Sequence, residues 1–249
     1  MAAGGASAGA SGGGAGLASA AAGQAGKENV IWRSDFEVGD LSEWTADGQG
    51  GSFRSSEPTL PMVVSERAHA GTRALKLTIT VANGMTSVNY VYRQAPTPTE
   101  AYYSAWFFIP KSYAIKDWLN IVHFVGSETG DGRNEVALWD LDLRSAADGT
   151  LALYAYEFEH SKQYDPPSPR PFAIGEWVQL EVLLRKASDT SGRVTVYQDG
   201  ALLLDITGVR TAPNDWLRWS LGSASGNIVP APAELYIDDA TVSLARVSQ

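Results

Sequence analysis

Apolar and polar residues alternate in short runs along the chain from residue 30 to its end. In residues 73–81, for example, a leucine, isoleucine or valine stands at every second position from residue 75 onward. This two-residue period is typical of a β-strand that buries one face. About a dozen such runs, bounded by turn residues and with little helical periodicity, predict an all-β fold of the sandwich or barrel kind.

The predicted strands are separated by glycine, proline and aspartate, which favour turns. Asp148-Gly149 predicts a β-hairpin between the strands on either side of it, and Asp199-Gly200 predicts a further turn. The predicted strands span residues 30–37, 73–81, 87–93, 101–109, 118–125, 135–144, 150–159, 176–186, 193–199, 217–224 and 234–247.

The N-terminal segment differs from the rest, because almost every residue from Ala2 to Gly26 is glycine, alanine or serine. Such a segment has little to bury and a high entropic cost of ordering, which predicts a disordered linker over residues 1–27. It has no lysine or arginine before Lys27 and no leucine-rich core, so it does not have the pattern of a signal peptide. We expect an export signal upstream. Residues 28–249 are predicted to form one β-sandwich domain, a size that single all-β domains reach.

Composition argues against several classes of protein. The chain has no cysteine, which excludes a disulfide framework, a thiolate zinc site and a cysteine nucleophile. Its formal net charge is -9 and it has no run of lysine or arginine, which argues against a nucleic-acid partner. No apolar run approaches the ~18 residues that span a membrane. We expect a monomer that is secreted or displayed at the cell surface.

Charged side chains share one face of the strand predicted at residues 135–144. The alternation assigns an apolar face to the core, made of Ala137, Trp139, Leu141 and Leu143. The opposite face carries Asp140, Asp142 and Arg144, together with Val136 and Leu138. Three charged groups on one face of a central strand suggest a polar, ligand-binding surface. An ordinary solvent-exposed face with cross-strand ion pairs is the alternative.

The next predicted strand adds aromatic side chains. It offers Tyr154, Tyr156, Phe158 and His160 on one face, and Glu157 and Glu159 on the other. Glycan sites combine flat aromatic faces for the sugar ring with carboxylate and arginine groups for its hydroxyl or uronate substituents, in an open groove. The residues predicted to bind a polysaccharide are Asp140, Asp142, Arg144, Tyr156 and His160.

Three motifs carry a resemblance to known proteins. They are Asp35-Phe36-Glu37 followed by GDLSEW at residues 39–44, HAGTRALKL at residues 69–77, and LYIDD at residues 235–239. In this order and spacing they resemble concanavalin A-like jelly-roll proteins that act on carbohydrates. Among these are polysaccharide lyases of the heparin-lyase and glucuronan-lyase type and a fungal cellulose-induced jelly-roll protein. The resemblance implies a jelly-roll β-sandwich that handles a polysaccharide, although this fold also hosts lectins, hydrolases and adhesion modules.

The resemblance also implies catalytic residues. In lyases of this type a histidine on the strand corresponding to residues 118–125 contributes to catalysis, which points to His123. β-Elimination needs a base for the C5 proton, an acid for the leaving oxygen and a group that neutralises the uronate. The residues predicted for these roles are His123, Tyr154 or Tyr156, and Arg144. The alternative for His123 is a hydrogen-bonded core residue. Heparin-lyase-like proteins also carry a tyrosine-rich late strand, whereas residues 216–222 contain no tyrosine.

Acidic residues at the ends of the first and last predicted strands suggest a cation. They are Asp35, Glu37, Asp238 and Asp239. If the two strands are neighbours, the carboxylates repel one another, and a hard cation with oxygen ligands removes that cost. Related jelly rolls hold calcium here, which implies ligands from Glu37, the backbone at Ala70 and Arg73, and Asp239. We therefore predict a structural calcium ion, with solvation of the acids or pairing with nearby arginines as the alternative.

Three functions remain open from the sequence. The first, favoured by the aromatic and charged face, is a non-catalytic polysaccharide-binding module tethered by its linker. The second is a polysaccharide lyase. The third is a structural or adhesion sandwich, because MAM-type domains also open with the letters DFE and close with IDD. A hydrolase is less well supported, since residues 135–140 do not match the E-x-D-x-x-E pattern of laminarinase-like members of the fold.

Overall fold

The computed structural model describes Met1 and residues 29–80, 86–94 and 96–247. Apart from Met1, the predicted linker at residues 1–27 lies outside this part of the chain, as does Val81 at the end of one predicted strand. The described residues form two antiparallel sheets packed face to face, which confirms the prediction of an all-β jelly-roll sandwich. None of their helices is long and apolar enough to cross a membrane.

The strands and one short helix follow the chain in this order: β1 (Val30–Ser34), α1 (Ser42–Thr45), β2 (Gly50–Ser55), β3 (Met62–Val64), β4 (Ala74–Ile79), β5 (Thr86–Arg93), β6 (Glu100–Phe108), β7 (Ala114–Ser127), β8 (Glu135–Ser145), β9 (Leu151–Glu157), β10 (Lys162–Tyr164), β11 (Pro171–Phe172), β12 (Trp177–Arg185), β13 (Gly192–Gln198), β14 (Ala201–Val209), β15 (Leu217–Val229) and β16 (Ala233–Ser243).

The two sheets each contain eight strands within the described residues. The first sheet has the order β14-β13-β12-β6-β16-β4-β3, with β1 also paired to β16. The second sheet has the order β10-β9-β8-β7-β15-β5-β2, with β11 also paired to β9. Because β1 and β16 pair antiparallel, with Ser34 opposite Ala240, the first and last strands are neighbours, as the predicted calcium site requires.

The core between the sheets contains a cluster of aromatic rings around Trp44 of α1. Trp44 is fully buried, and its ring lies 4.7 Å from that of Trp32, 6.2 Å from Phe36 and 6.0 Å from Trp219, between ring centroids. Its indole Nε1 donates a hydrogen bond of 3.1 Å to Ser34 Oγ. The first motif of the sequence therefore packs the end of β1 and the short helix onto the second sheet.

A β-bulge at Leu138 reverses the alternation predicted for β8. Asp140 and Trp139 pair with His123 and Phe124, but the next pairing is Ala137 with Val125, which leaves Leu138 as an extra residue. An extra residue on one strand exchanges the faces of the residues before it. Leu138 accordingly packs against the core, and Ala137 lines a cavity on the outer face. The prediction that Ala137 is core and Leu138 faces outward was wrong.

The hairpin predicted at Asp148-Gly149 is confirmed, because β8 and β9 pair antiparallel on either side of it. Gly149 has φ of 84°, a left-handed conformation that glycine adopts without steric cost. At Asp199-Gly200 both residues have positive φ, 49° and 72°, as a tight hairpin turn requires. This second turn connects β13 to β14, a strand that the sequence pattern did not predict.

Candidate active site

A row of four side chains crosses the outer face of the second sheet. Directly opposed residues of neighbouring strands share a face of the sheet. Ser220 lies opposite His123, His123 opposite Asp140, and Asp140 opposite Tyr156, so β15, β7, β8 and β9 each contribute one member. His123 Nδ1 contacts Asp140 Oδ1, and the side chains are 23% and 9% exposed, respectively. The pair is therefore largely desolvated, while the imidazole keeps some access from the outer face.

A second row runs parallel to the first. Asn120 of β7 lies opposite Asp142 of β8, and Asp142 lies opposite Tyr154 of β9. Asn120 Nδ2 donates a 2.8 Å hydrogen bond to Val122 O, and both Tyr154 and Asn120 hydrogen-bond to the carboxyl group of Asp142. Asp142 is only 5% exposed, and its Oδ1 has no hydrogen-bond partner among the described residues.

Both rows lie in a cavity of about 660 Å³ on this face. Its aromatic lining residues are Phe53, Tyr90, Trp118, Tyr154, Tyr156 and Phe158. At one end the rings of Phe53 and Tyr90 lie 5.5 Å apart, and at the other the rings of Tyr156 and Phe158 lie 5.0 Å apart. Because Phe53 and Phe158 are 46% and 37% exposed, the cavity is an open groove with an aromatic wall at each end. Such walls suit the flat faces of sugar rings.

The floor of the groove on β15 is made of small residues. Gly222 lies where β15 and β5 approach each other, and a Cβ atom there would stand 2.3 Å from Asn89 O. Ser220 and Ser223 also line the groove, and within the described part of the chain their hydroxyl oxygens have no hydrogen-bond partner. Both hydroxyl oxygens are buried beneath the surface of the groove, so these serines keep its floor low rather than present a polar group to it.

The groove is acidic. Among the residues that the structure describes, no lysine or arginine lines it, whereas Asp117, Asp140 and Asp142 do. Burial, followed by the charge of Asp140, raises the pKa of Asp142 to about 8. Burial also raises the pKa of Asp140, although the neighbouring His123 opposes that rise. Two carboxyl groups on one desolvated face cannot both ionise cheaply, so Asp142 keeps its proton at neutral pH.

Five of the residues predicted to act on a ligand come together in this groove, and two do not. His123, Asp140, Asp142, Tyr154 and Tyr156 all line the cavity. Arg144 and His160 are not among its lining residues.

Arg144 and His160 form ion pairs with acidic residues that do not line the cavity. Arg144 Nη2 lies 2.7 Å from Asp165 Oδ1, and its guanidinium stands 5.3 Å from the ring centroid of Tyr154. His160 follows the end of β9, in a turn that breaks the alternation, and its Nδ1 lies 2.7 Å from Glu157 Oε1. Arg144 shares the outer face of β8 with Asp140 and Asp142, as the alternation predicted, because β8 and β9 pair in unbroken register from Asp140 to Arg144. The roles predicted for Arg144 and His160 toward a ligand stay predictions.

His123 has the geometry of a general base. When Asp140 is ionised, it accepts a hydrogen bond from Nδ1–H, which leaves Nε2 as the nitrogen with a free lone pair. Within the described part of the chain, Nε2 has no hydrogen-bond partner. The ring edge lies against Phe158, with centroids 6.0 Å apart, so its orientation is fixed from two sides. An oriented imidazole with one free nitrogen in an open groove can take a proton from a bound ligand.

Sequence reasoning missed several groove residues. Phe53, Tyr90 and Trp118 were not predicted, and neither were Asn120 and the small residues of β15. Phe53 lies on β2, whose sequence GGSFRS has no apolar alternation. The alternation of β7 did contain a signal, because Asn120 stands a few residues before His123 in the same strand. A polar residue inside an apolar strand is a reason to look for a site.

The predicted calcium ligand Glu37 is surrounded by hydrogen-bond donors. Its Oε1 accepts from the backbone N–H groups of Thr72 and Arg73, each at 2.7 Å, and its Oε2 accepts from Thr72 Oγ1 at 2.8 Å. These bonds, those from Thr72 foremost, lower the pKa of Glu37. Arg73 also donates from Nη1 to Glu37 O at 2.6 Å.

The other predicted calcium positions are arranged in a similar way. Asp239 Oδ2 lies 2.6 Å from His69 Nδ1, and the N–H of Ala70 points at Asp238 Oδ2 at 3.4 Å. A calcium ion needs six to eight oxygen ligands. The contacts of these residues are with nitrogen and hydroxyl donors, so their arrangement fits a hydrogen-bonded junction better than a calcium site. A structural calcium ion stays a prediction.

Melting the protein with and without a chelator tests that prediction. A structural ion that binds only the folded state at 100 times its Kd adds about 2.7 kcal/mol of stability. The calcium prediction therefore requires that a chelator lowers Tm by roughly 5–10 °C for a domain of this size, and that Ca²⁺ restores it. Mg²⁺ at the same concentration is the control. If the chelator leaves Tm unchanged, a structural calcium ion is ruled out. The hydrogen bonds of Glu37 to Thr72 and Arg73 are then what connects these two segments.

Solved structures with a similar jelly-roll fold include several polysaccharide lyases. The endo-β-1,4-glucuronan lyase of the fungus Trichoderma reesei has a TM-score of 0.61 and 17% sequence identity, over 87% of this chain and 96% of that one. The alginate lyase Aly36B gives 0.57 and 14%, over 89% and 94%. The PL-14 alginate lyase of Aplysia kurodai gives 0.56 and 12%, over 86% and 98%. At these identities the likeness shows the fold alone.

The family to which the protein belongs is shown by its amino-acid sequence. The model of the polysaccharide lyase family matches residues 36–222, which is most of the chain. The protein belongs to the polysaccharide lyase family. No curated protein sequence matches it significantly. The resemblance drawn from the three motifs is confirmed at the level of family and fold.

Proposed function

We propose that the protein is a lyase that cleaves a uronate-containing polysaccharide by β-elimination in the groove of the second sheet. The observation that carries this proposal is the row in which His123, Asp140 and Tyr156 lie side by side in one open cavity. Membership of the polysaccharide lyase family supports it. Proteins of similar fold named above act on glucuronan and alginate, so these two polyuronates are the first candidate substrates.

The first step assigned to the chain's own residues is proton abstraction. His123 Nε2 removes the proton on C5 of the uronate, next to its carboxyl group, while Asp140 holds Nδ1–H and stabilises the imidazolium that forms. The electrons of the C5–H bond form the C4–C5 double bond, and the bond between C4 and the glycosidic oxygen breaks.

The leaving oxygen then takes a proton from a tyrosine. Tyr156 suits this role because it stands next to Asp140 in the same row and is more exposed to the groove than Tyr154. Tyr154 is hydrogen-bonded to Asp142, and burial followed by that carboxyl group raises its pKa, so it holds its proton more tightly. The products are an unsaturated uronate at one new end and a free hydroxyl at the other.

The two alternative functions, a non-catalytic binding module and an adhesion domain, require fewer of these residues than a lyase does. A non-catalytic module needs the aromatic walls but no oriented histidine, and an adhesion surface needs neither. The family match favours the lyase over the binding module that the sequence pattern first favoured. We further propose that the protein acts outside the cell, where structural polyuronates lie, either secreted or attached at the surface.

Incubation with polyuronates tests the proposal. The unsaturated product absorbs in the ultraviolet, so we expect absorbance to rise with glucuronan, alginate or another polyuronate, and to stay flat with a neutral glucan as the control. If the absorbance does not rise with any polyuronate, and circular dichroism shows that the protein is folded, the lyase proposal is wrong. Retention of a polyuronate in affinity electrophoresis without any product would instead support the binding module.

A further inference from the structure

Two accessible polar groups of the groove have no partner in the described part of the chain. They are the indole Nε1–H of Trp118 and the carboxylate of its neighbour Asp117, and both residues line the cavity. Asp117 is exposed and Trp118 is half-buried. Nε1 of Trp118 keeps some contact with solvent, unlike the enclosed and unpartnered Nε1 of Trp219. A ligand in the groove can therefore reach one donor and one acceptor here.

Gly226 of β15 allows these two groups to lie side by side. It stands opposite Trp118 in the pairing of β15 with β7. From the point where a Cβ atom would stand on Gly226, Asp117 Oδ2 is 3.3 Å away and Trp118 Nε1 is 3.5 Å away. A side chain at this position would therefore crowd both groups. Because the position is a glycine, the donor and the acceptor share one patch of the groove surface.

The surface beside this patch is apolar. Val88 of β5 lies opposite Ala224 of β15, and both are half-buried residues that line the groove. Together with the ring of Trp118 they offer an apolar surface to the face of a sugar ring. Sites for small polar ligands combine such a surface with a few directed hydrogen bonds. We call the four lining residues Val88, Asp117, Trp118 and Ala224 the Trp118 subsite.

The carboxylate of Asp117 discriminates between sugars that differ in charge. An ionised carboxylate only accepts hydrogen bonds, and a sugar hydroxyl can donate one to it. The carboxylate of a uronate also only accepts hydrogen bonds, and it carries the same charge as Asp117, so the two groups repel. At a separation of ~6 Å near a protein surface, this repulsion weakens binding about 5–10-fold. The Trp118 subsite therefore suits an uncharged sugar better than a uronate.

The cations near this subsite do not offset the charge of Asp117. Arg144, on the neighbouring strand β8, is paired with Asp165 at 2.7 Å, and its guanidinium stands 5.3 Å from the ring centroid of Tyr154. Lys116, the residue before Asp117, is exposed and does not line the groove. The net charge of -9 on the whole chain adds a further unfavourable field for a polyanion.

We propose that the Trp118 subsite binds an uncharged sugar of the same chain as the uronate that is cleaved, and that Asp117 disfavours a second uronate there. The proposal rests on the lyase function proposed above. Trp118 stands five residues before His123 in β7, ~13–17 Å along the strand, which is longer than one sugar ring. The preferred substrate is therefore a mixed polysaccharide in which neutral sugars accompany the uronate, rather than a chain of uronates alone.

Binding of two matched polymers tests the proposal. One is glucuronan, and the other is glucuronan in which about half of the carboxyl groups have been reduced to alcohols, so that the linkage stays the same. The His123→Ala protein is titrated with each polymer by calorimetry, so that no turnover occurs. We expect the half-reduced polymer to bind about 5–10-fold more tightly, because it can place an uncharged residue against Asp117.

Further substitutions in the His123→Ala protein separate the subsite from general charge effects. Asp117→Asn removes the repulsion and supplies an amide donor, so glucuronan should bind more tightly and the preference should be lost. Trp118→Phe keeps a ring but loses the Nε1 donor, so the half-reduced polymer should bind more weakly. Glu128, in the loop after β7, is exposed and does not line the groove. Glu128→Gln removes the same charge as Asp117→Asn and should leave the preference unchanged.

The proposal is overturned if glucuronan binds at least as tightly as the half-reduced polymer, or if Asp117→Asn and Glu128→Gln change the preference equally. Its failure is distinguishable from failure of the lyase proposal, because binding is measured without turnover. If wild-type protein forms no unsaturated product but the preference depends on Asp117, the subsite stands and elimination falls. If product forms and the preference does not depend on Asp117, elimination stands and the subsite falls.

Discussion

Replacing His123 with alanine is expected to lower kcat for elimination by about 10²–10⁴-fold, the contribution typical of a positioned general base. The physical reason lies in the row across the second sheet. Asp140 holds Nδ1, Phe158 packs on the ring edge, and Nε2 is left facing the groove. Removing the imidazole removes the group proposed to take the C5 proton but leaves both aromatic walls in place. KM should therefore change much less than kcat, as measured by initial rates of ultraviolet absorbance on a polyuronate.

His69 provides a matched control for this substitution. It forms the same kind of pair, Nδ1 to Asp239 Oδ2 at 2.6 Å, but in the connection between β3 and β4. There it stacks on Trp106 of the first sheet, with 3.8 Å between ring centroids. His69→Ala should lower Tm without lowering kcat. The assignment of His123 as the base is wrong if kcat falls less than tenfold in His123→Ala, or if His69→Ala lowers it equally in protein that is still folded.

Replacing Trp44 with alanine is expected to destabilise the fold by about 3–5 kcal/mol, the usual cost of truncating a fully buried aromatic side chain. Trp44 joins the end of β1, the helix α1 and the second sheet through its contacts with Trp32, Phe36 and Trp219. In a domain of this size each kcal/mol corresponds to roughly 2–4 °C in Tm. A loss of about 6–20 °C should therefore appear in thermal unfolding followed by circular dichroism.

The conservative variant separates packing from hydrogen bonding at this position. Trp44→Phe keeps most of the aromatic volume and loses the 3.1 Å bond from Nε1 to Ser34 Oγ. It should cost only about 1–2 kcal/mol, the range for one buried hydrogen bond and a small cavity. If Trp44→Ala melts within a degree or two of the parent, the aromatic cluster does not hold the two sheets together.

Local patterns of the sequence were sufficient for much of the fold. The two-residue alternation of β4 and the turn at Asp148-Gly149 depend on residues close in the chain, and both predictions are confirmed. β14 was not predicted, because its first half is a continuous apolar run, ALLL, without the two-residue alternation that indicates a strand. The bulge at Leu138 was not predicted either. A bulge depends on how β8 pairs with β7, and the alternation within one strand contains no information about that pairing.

The candidate site was predictable in its residue types and less so in its arrangement. His123, Asp140 and Tyr156 come from three separate strands, and each was chosen from its own strand or from the family resemblance. That they stand in one row follows from the register of two strand pairings, β7 with β8 and β8 with β9, which no single strand encodes. Arg144 was predicted to bind the uronate because it is cationic. In the structure it pairs with Asp165, which comes from the segment after β10. A contact between residues so far apart in the fold's connectivity cannot be predicted from the pattern of one strand.

The alternation of acidic and apolar side chains along β8 also guards against mispairing of this strand with its neighbours. Slippage by one residue would turn Asp140 and Asp142 into the sandwich and Trp139 and Leu141 out to water, because the side-chain period of a strand is two. Placing two carboxyl groups in the apolar interior without partners costs far more than a few lost backbone bonds. The same acids that line the groove thus penalise every shift of the strand by an odd number of residues. The register of the sheet and the candidate site therefore depend on one pair of side chains.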